Sequence, residues 1–115
     1  MMQAGRAPEA EPVARAYLAL CEKLFDAEGL EIPTARGLVG WSLLAQKRQA
    51  EAEPLLLAAY EGMKRFEARV GLSADQRKAV VQSVEQLARL YEAMQQPAKA
   101  AEWRQKATPP PAPKP

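Results

Sequence analysis

The sequence predicts an all-α protein built from about five antiparallel helices. Along most of the chain, apolar residues recur at alternating spacings of four and three, which places them on one face of an α-helix. No segment sustains the period-two alternation of apolar and polar residues that is typical of half-buried strands. The connections between the apolar stretches are short, so consecutive helices are expected to pack antiparallel.

The longest amphipathic stretch covers residues 50–70 and predicts the central helix. Pro54 is compatible with a helix that begins near residue 50, because its missing amide hydrogen falls in the first turn or just past it. Gly71 marks the end of this helix. The apolar residues that follow the four-and-three spacing are Ala52, Leu56, Ala59, Met63, Phe66 and Val70.

A first helix is predicted over residues 11–28, with Pro12 in its first turn and Gly29 at its end. Cys21 lies beside its apolar stripe. We interpret this cysteine as a small buried residue rather than a reactive thiol, since the chain has no histidine to pair with it. The stripe consists of Val13, Tyr17, Leu20, Leu24 and Ala27.

A second helix is predicted over residues 35–47, after a connector at 30–33 and a helix cap at Thr34. This helix contains Gly37 and Gly40, although a glycine inside a helix costs about 1 kcal/mol relative to alanine. We interpret both glycines as points where a neighbouring helix approaches closely. A phosphate-binding loop would need glycine motifs that the sequence lacks.

Two more helices are predicted, one from residue 74 to about residue 95 and one over residues 97–107. Ser73 and Gln76 have the spacing of a capping box at the start of the fourth helix. Pro97 fits the first position of the fifth helix, where a proline is tolerated.

The two ends of the chain are predicted to lie outside the helical domain, which covers residues 11–107. Residues 1–10 are interpreted as a disordered leader. Residues 108–115 hold five of the ten prolines and are interpreted as an extended tail. This tail is either a ligand for a proline-binding groove or simply a tail.

The composition argues against several classes of function. The chain has 16 basic and 14 acidic residues, and this near balance argues against a nucleic-acid partner, whose binding surface would show a clustered basic excess. No apolar run approaches the roughly 20 residues of a membrane span. A single cysteine allows no intramolecular disulfide, which favours a reducing compartment such as the cytoplasm.

Catalysis and cofactor binding are not expected. Without histidine and with one cysteine, the chain lacks the ligands for a zinc or haem site, and a serine–histidine nucleophile is impossible. Glu85 and Glu92 are the best-placed carboxylate pair, two turns apart, and we interpret them as part of a solvated helix face. We therefore expect no cofactor, no metal and no enzymatic activity.

An internal repeat relates the second and third helices to the fourth and fifth. The aligned pairs, each separated by 48 positions, are Gly40 with Ala88, Leu43 with Tyr91, Ala52 with Ala100, and Ala59 with Ala107. The shared pattern is a small residue, a large residue three later, and alanines nine and sixteen positions beyond. The position of Leu56 departs from the pattern, because Arg104 occupies it in the second copy.

This pattern resembles the tetratricopeptide repeat (TPR), a helix-turn-helix unit with small residues where its helices touch. The family period is 34 residues, whereas the period here is 48. The units at 35–70 and 74–107 therefore resemble the longer-helix variants of this repeat, arranged as a short α-solenoid. The runs LVGWSLLAQKRQAEAEPLLLAAYEGMK and LARLYEAMQQPAKAAEWRQKA look like the C-terminal TPR segment of large bacterial proteins, often serine/threonine protein kinases.

The resemblance implies a protein-protein interaction module whose first helices line a concave surface. The residues that it assigns to partner binding are Leu38, Trp41, Leu44, Gln82, Gln86 and Arg89. Trp41 among leucines is expected to anchor a partner peptide or helix. The competing interpretation is that Trp41 and Leu44 pack against the first helix or against a further repeat.

Two other functions stay open at this stage. The chain could be the regulatory or docking tail of a larger bacterial protein such as a serine/threonine kinase, without its catalytic domain. It could also be a structural helical bundle that dimerises through Trp41. The expected partner is therefore a protein or peptide, with a second copy of the chain as one possibility.

Overall fold

Five α-helices make up the part of the chain that the computed structural model describes, residues 7–26 and 28–107. The predicted all-α class is therefore confirmed. Residues 1–6 of the predicted leader, Ala27 and the predicted tail at 108–115 lie outside the described residues. The helices are α1 (Ala7–Leu24), α2 (Glu31–Ala45), α3 (Gln49–Val70), α4 (Ala74–Ala93) and α5 (Pro97–Ala107).

Each helix packs mainly against its neighbours in the chain, and α2 also contacts α4. The smallest principal extent of the molecule is 21 Å. An α-helix with its side chains is about 10 Å across, so this thickness corresponds to two layers of helices. None of the described helices is both long and apolar enough to span a bilayer.

The main core joins all five helices and is centred on the facing sides of α2, α3 and α4. Its fully buried side chains are Val39, Leu43, Ala52, Leu56, Leu87, Ala88, Leu90, Tyr91 and Ala100, with Ala14 at the edge. The Tyr91 hydroxyl donates a hydrogen bond of 2.8 Å to Glu53, which ties α4 to α3. Burial first, and then this carboxylate, raises the pKa of Tyr91 to about 12.

The glycine at position 40 lets α2 and α3 approach closely. A Cβ atom at Gly40 would lie 2.8 Å from both Cγ and Cδ2 of Leu56 and 3.3 Å from the Leu56 backbone nitrogen. At Gly37 the nearest contact of such an atom would be Ala59 Cβ at 3.6 Å, an ordinary van der Waals distance. Of the two glycines, Gly40 is therefore a point where the helices approach too closely for a side chain, whereas Gly37 has room for a methyl group.

The turns after α2 and α4 have the same geometry, 48 positions apart. Lys47 and Gln95 both adopt a positive φ, 63° and 60°. The next amide donates across each turn, from Arg48 to the Leu43 carbonyl and from Gln96 to the Tyr91 carbonyl, at 2.9 and 2.8 Å. This six-to-one hydrogen bond defines a Schellman motif, so the two helical hairpins end their first helices in the same way.

The start of α2 differs from the prediction. The helix begins at Glu31, with Leu30 rather than Thr34 at the cap, so residues 30–33 are not a connector. Pro33 is tolerated because a helix leaves its first four amides unbonded. The Thr34 amide makes the first helical bond, to the Leu30 carbonyl. At α4 the predicted capping box is present, with Ser73 and Gln76 bonded reciprocally.

The bounds of α1 are also earlier than predicted. The helix begins at Ala7, so the last four residues of the predicted leader are helical, and Pro12 lies in its second turn rather than its first. It ends at Leu24 rather than at residue 28. The Asp26 side chain accepts the Glu28 amide and forms a local turn that competes with another helical turn.

The side of α1 that packs on the protein is not its large apolar stripe. Ala14 and Cys21 are buried and Leu18 is half-buried, next to Ile32 and Ala35 of α2. The burial of Cys21 agrees with its interpretation as a small core residue. The stripe of Val13, Tyr17, Leu20 and Leu24 is exposed. Small side chains on the packed side let α1 lie close to α2.

Glu11 fastens α1 to the turn between α2 and α3. Its carboxylate accepts hydrogen bonds from Gln46 (3.0 Å), Arg48 (2.7 Å) and Arg15 (2.8 Å). The Gln46 amide first, and then the arginines, lowers the pKa of Glu11 from 4.5 to about 2. The ionised form of Glu11 is therefore the form that holds α1 against the turn between α2 and α3.

The two interior glycines of α2 are expected to respond oppositely to alanine. Gly40→Ala should lower the free energy of unfolding by about 1–3 kcal/mol, because the new methyl group overlaps Leu56. Gly37→Ala should raise it by up to about 1 kcal/mol, because alanine favours the helix and the site has room. Urea unfolding followed by circular dichroism measures both. Equal stability of the two variants would contradict the close approach at Gly40.

The carboxylate of Glu11 predicts an acid-sensitive attachment of α1. Because the pKa of Glu11 in the folded protein lies below its ordinary value, the contribution of Glu11 to stability is complete above pH 4.5 and is lost as the pH falls toward 2. Glu11→Gln should be less stable than the wild type at neutral pH, and the difference should shrink over that range. Glu22→Gln, on an exposed carboxylate of the same helix, is the control. A difference independent of pH would refute this role of Glu11.

Candidate functional site

The side-by-side contact of α2 and α4 brings most of the predicted binding residues together. Leu38 and Trp41 are one turn apart on α2, and Gln82, Gln86 and Arg89 follow the four-and-three spacing on α4. We call these five residues the α2/α4 strip. Leu38 is 39% exposed, Gln82 and Arg89 are exposed, and Trp41 and Gln86 are half-buried.

One end of the strip contains a small groove of about 50 Å³ between α2, α3 and α4. Its floor includes Met63 of α3 and Gly37 of α2, where the missing side chain leaves space. The polar groups at its edge can hydrogen-bond a peptide, and Leu38 offers an apolar contact. The other lining residues are Thr34, Leu38, Ala79, Gln82, Ser83 and Gln86.

Ser83 contributes a buried hydroxyl to this groove. Its Oγ atom has no hydrogen-bond partner among the described residues, although the side chain is only 3% exposed. An unsatisfied buried hydroxyl costs about 1–3 kcal/mol. A ligand group that reached the floor of the groove could satisfy it.

The other end of the strip is formed by Trp41 and Arg89. The guanidinium carbon of Arg89 lies 5.8 Å from the centroid of the Trp41 ring, within the range of a cation–π contact. Glu85, one turn before Arg89, approaches the same guanidinium at 3.5 Å. Trp41 therefore presents an aromatic surface beside a charged group, as at many binding hot spots.

Leu44 has a different environment from the five residues of the strip. It is half-buried and packs against the main core cluster, whereas Trp41 is not part of that cluster. Of Trp41 and Leu44, which were both candidates for packing inside the protein, only Leu44 packs against the main core cluster. The α2/α4 strip is thus one residue smaller than the predicted binding set.

The carboxylate pair of Glu85 and Glu92 is occupied by Arg104 of α5. Arg104 lies 3.2 Å from Glu85 and makes two hydrogen bonds to Glu92, at 2.6 and 2.8 Å. The Arg104 hydrogen bonds hold the pKa of Glu92 below its ordinary value. Arg104, which breaks the apolar pattern of the repeat, therefore neutralises the acidic side of α4.

The predicted binding set did not contain five of the groove residues: Thr34, Gly37, Met63, Ala79 and Ser83. The repeat contained a signal for Ser83, since Ala35 stands 48 positions earlier and both are small and buried. The spacing of apolar residues indicates only a core position in α3 for Met63. Its second role follows from Gly37, which opens the groove above it.

The comparisons with known proteins give this geometry no counterpart. No protein-family model, curated protein or solved structure matches the chain. Within residues 7–26 and 28–107, no group of three or more histidine, cysteine, aspartate or glutamate side chains could hold a metal ion. The side chains of the strip offer apolar, aromatic, amide and guanidinium groups.

The two tryptophans are expected to differ in their contributions to stability. Trp103 packs on Tyr60 and Tyr91, with ring centroids 4.9 and 6.5 Å away, so Trp103→Ala should cost about 3 kcal/mol. Trp41 lies outside the core cluster, so Trp41→Ala should cost less than half of that. Urea denaturation of both variants measures the difference. If Trp41→Ala is equally destabilising, Trp41 is a structural residue rather than a free anchor.

Proposed function

We propose that this chain is a non-catalytic protein-protein interaction module of the tetratricopeptide-repeat type. On this proposal, a peptide or helix of a partner protein lies across α2 and α4. The observation that carries the proposal is that Trp41 and Leu38 stay outside the main core beside the amides of Gln82 and Gln86. Such a mixture provides an apolar anchor and hydrogen bonds for a peptide backbone.

The arrangement of the helices supports the repeat part of the proposal. The hairpins α2–α3 and α4–α5 share the same Schellman turn at a 48-residue offset. Helices pack mainly along the chain order, and the first helices of the two hairpins, α2 and α4, touch. In stacked helical repeats, neighbouring units make contacts of this kind and leave an extended face for ligands.

The charge distribution supports the binding part of the proposal. Arg104 neutralises Glu85 and Glu92, so the surface beside the strip carries no unpaired acidic pair. Arg89 places a cationic group beside the Trp41 ring. A partner segment with an apolar side chain for Trp41 and an acidic side chain for Arg89 would complement this end of the strip.

A peptide-display selection on the full chain tests the proposal. Selected peptides should bind at least about tenfold more weakly to Trp41→Ala, because truncating an aromatic hot-spot residue typically costs about 2 kcal/mol or more. Gln86→Ala should weaken them too. The control is Val81→Ala on another face of α4, which should leave the affinity within about twofold. Fluorescence anisotropy with labelled peptides gives the affinities.

Two results would contradict the proposal. One is the absence of any enriched peptide sequence. The other is a set of peptides whose affinity survives both Trp41→Ala and Gln86→Ala, which would move the binding surface away from the α2/α4 strip.

A further inference from the structure

The exposed stripe on α1 is the largest concentration of uncovered apolar side chains in the described chain. Val13 is 70% exposed, Tyr17 42%, Leu20 51% and Leu24 66%, and Phe25, just after the helix, is 45% exposed. These are five of the eight large apolar side chains that the described residues leave exposed. A contiguous apolar patch of this kind marks an interaction site.

Covering this stripe would not disturb the fold. The helix already packs on α2 through its other side, with Ala14 and Cys21 buried. From Val13 to Leu24 the stripe is about 16 Å long, since each helical residue rises about 1.5 Å. Its length matches a single helix lying along α1.

One edge of the stripe carries a charge pattern that selects the partner. Glu9, Ala16 and Lys23 are seven residues apart, which is close to two helical turns, so they line the same edge. Glu9 is in the first turn of α1 and Lys23 is in the last. Both are exposed, and neither makes an ion pair with another residue in the described ranges.

We propose that α1 packs antiparallel against α1 of a second copy of this chain, with Ala16 at the two-fold axis. In an antiparallel pair, the same edges of the two helices face each other in opposite directions. Glu9 then lies beside the partner's Lys23, and Lys23 lies beside the partner's Glu9. The small Ala16 at the centre lets the helices approach closely. The positive end of each helix dipole lies beside the negative end of the other, which is favourable.

The same charges disfavour the other arrangements. In a parallel pair, the edge that carries Glu9 and Lys23 would face the opposite edge of the partner's α1, so neither Glu9–Lys23 ion pair would form. The placement of an acid and a base at equal distances from Ala16 lets both ion pairs form about a two-fold axis through this level of the helix. This dimer is independent of the proposed α2/α4 binding strip, because it uses the outer side of a different helix.

Sedimentation equilibrium of the full chain at low salt, over a range of concentrations, tests the proposal. The wild type is expected to dimerise reversibly. Leu20→Glu should weaken dimerisation by at least about a hundredfold, because a two-fold interface buries Leu20 of both chains and the substitution changes both. Val81→Glu, on a residue of similar exposure outside the stripe, should dimerise like the wild type. Circular dichroism checks that each variant stays folded.

Charge exchange tests the antiparallel register. Glu9→Lys and Lys23→Glu should each weaken the dimer by about threefold to tenfold, since each replaces two ion pairs by two repulsions. The double variant carrying both changes should restore dimerisation. Its recovery would not be expected if α1 bound any other surface.

Three outcomes would overturn the proposal. They are a wild type that stays monomeric at every concentration, a dimer that survives Leu20→Glu, and a double charge variant that dimerises no better than the single ones. A dimer lost in Trp41→Glu but kept in Leu20→Glu would assign self-association to the α2/α4 strip instead.

Discussion

The contact between Gly40 and Leu56 holds α2 and α3 close together, as the contact of Gly62 with Pro33 does further along the same pair, and the other helices are arranged around these two. With a side chain at position 40, α3 would have to move outward or Leu56 would have to leave the core. Leu56 is completely buried and packs with Leu43, Leu87 and Tyr91 in the main cluster. A shift of α3 would therefore also loosen its contact with α4, because packed interiors have little room to adjust.

The second hairpin solves the same packing problem differently. Ala88 stands where α2 has Gly40, and Arg104 stands where α3 has Leu56. A long guanidinium side chain cannot fill a buried leucine site without its charge being paired, so Arg104 reaches the surface carboxylates Glu85 and Glu92. The aromatic ring of Trp103 fills the space next to it, against Tyr60 and Tyr91. The two hairpins thus share the geometry of their turn, but the second has no counterpart of the Gly40–Leu56 contact.

The sequence predicted the elements of this fold better than their orientation. The spacing of apolar residues located all five helices, and the Ser73 capping box placed the start of α4 correctly. Periodicity could not show which side of α1 faces inward, because Ala14 and Cys21 pack closer to α2 than the larger Val13 and Leu20 could. It also missed the Schellman turns, since Lys47 and Gln95 occupy a conformation that usually requires glycine.

The candidate site was predictable only in part for a related reason. The resemblance to the tetratricopeptide repeat assigned Gln82, Gln86 and Arg89 to one side of α4, and the structure brings Leu38 and Trp41 beside them. Spacing could not show that the core takes Leu44, nor that Ser83 keeps an unpaired hydroxyl in the groove. Both depend on the distance between helices, which is a tertiary property.

Amide hydrogen exchange on the full chain, diluted until it is monomeric, tests most directly whether the α2–α3 pair is the centre of the fold. Local opening reports the stability of each segment separately. The account predicts the slowest exchange in α2 and α3 near Leu43 and Leu56, with faster exchange in α1, which packs through a few small side chains. Exchange in α1 as slow as in α3 would contradict it and would show that stability does not spread outward from the Gly40–Leu56 contact.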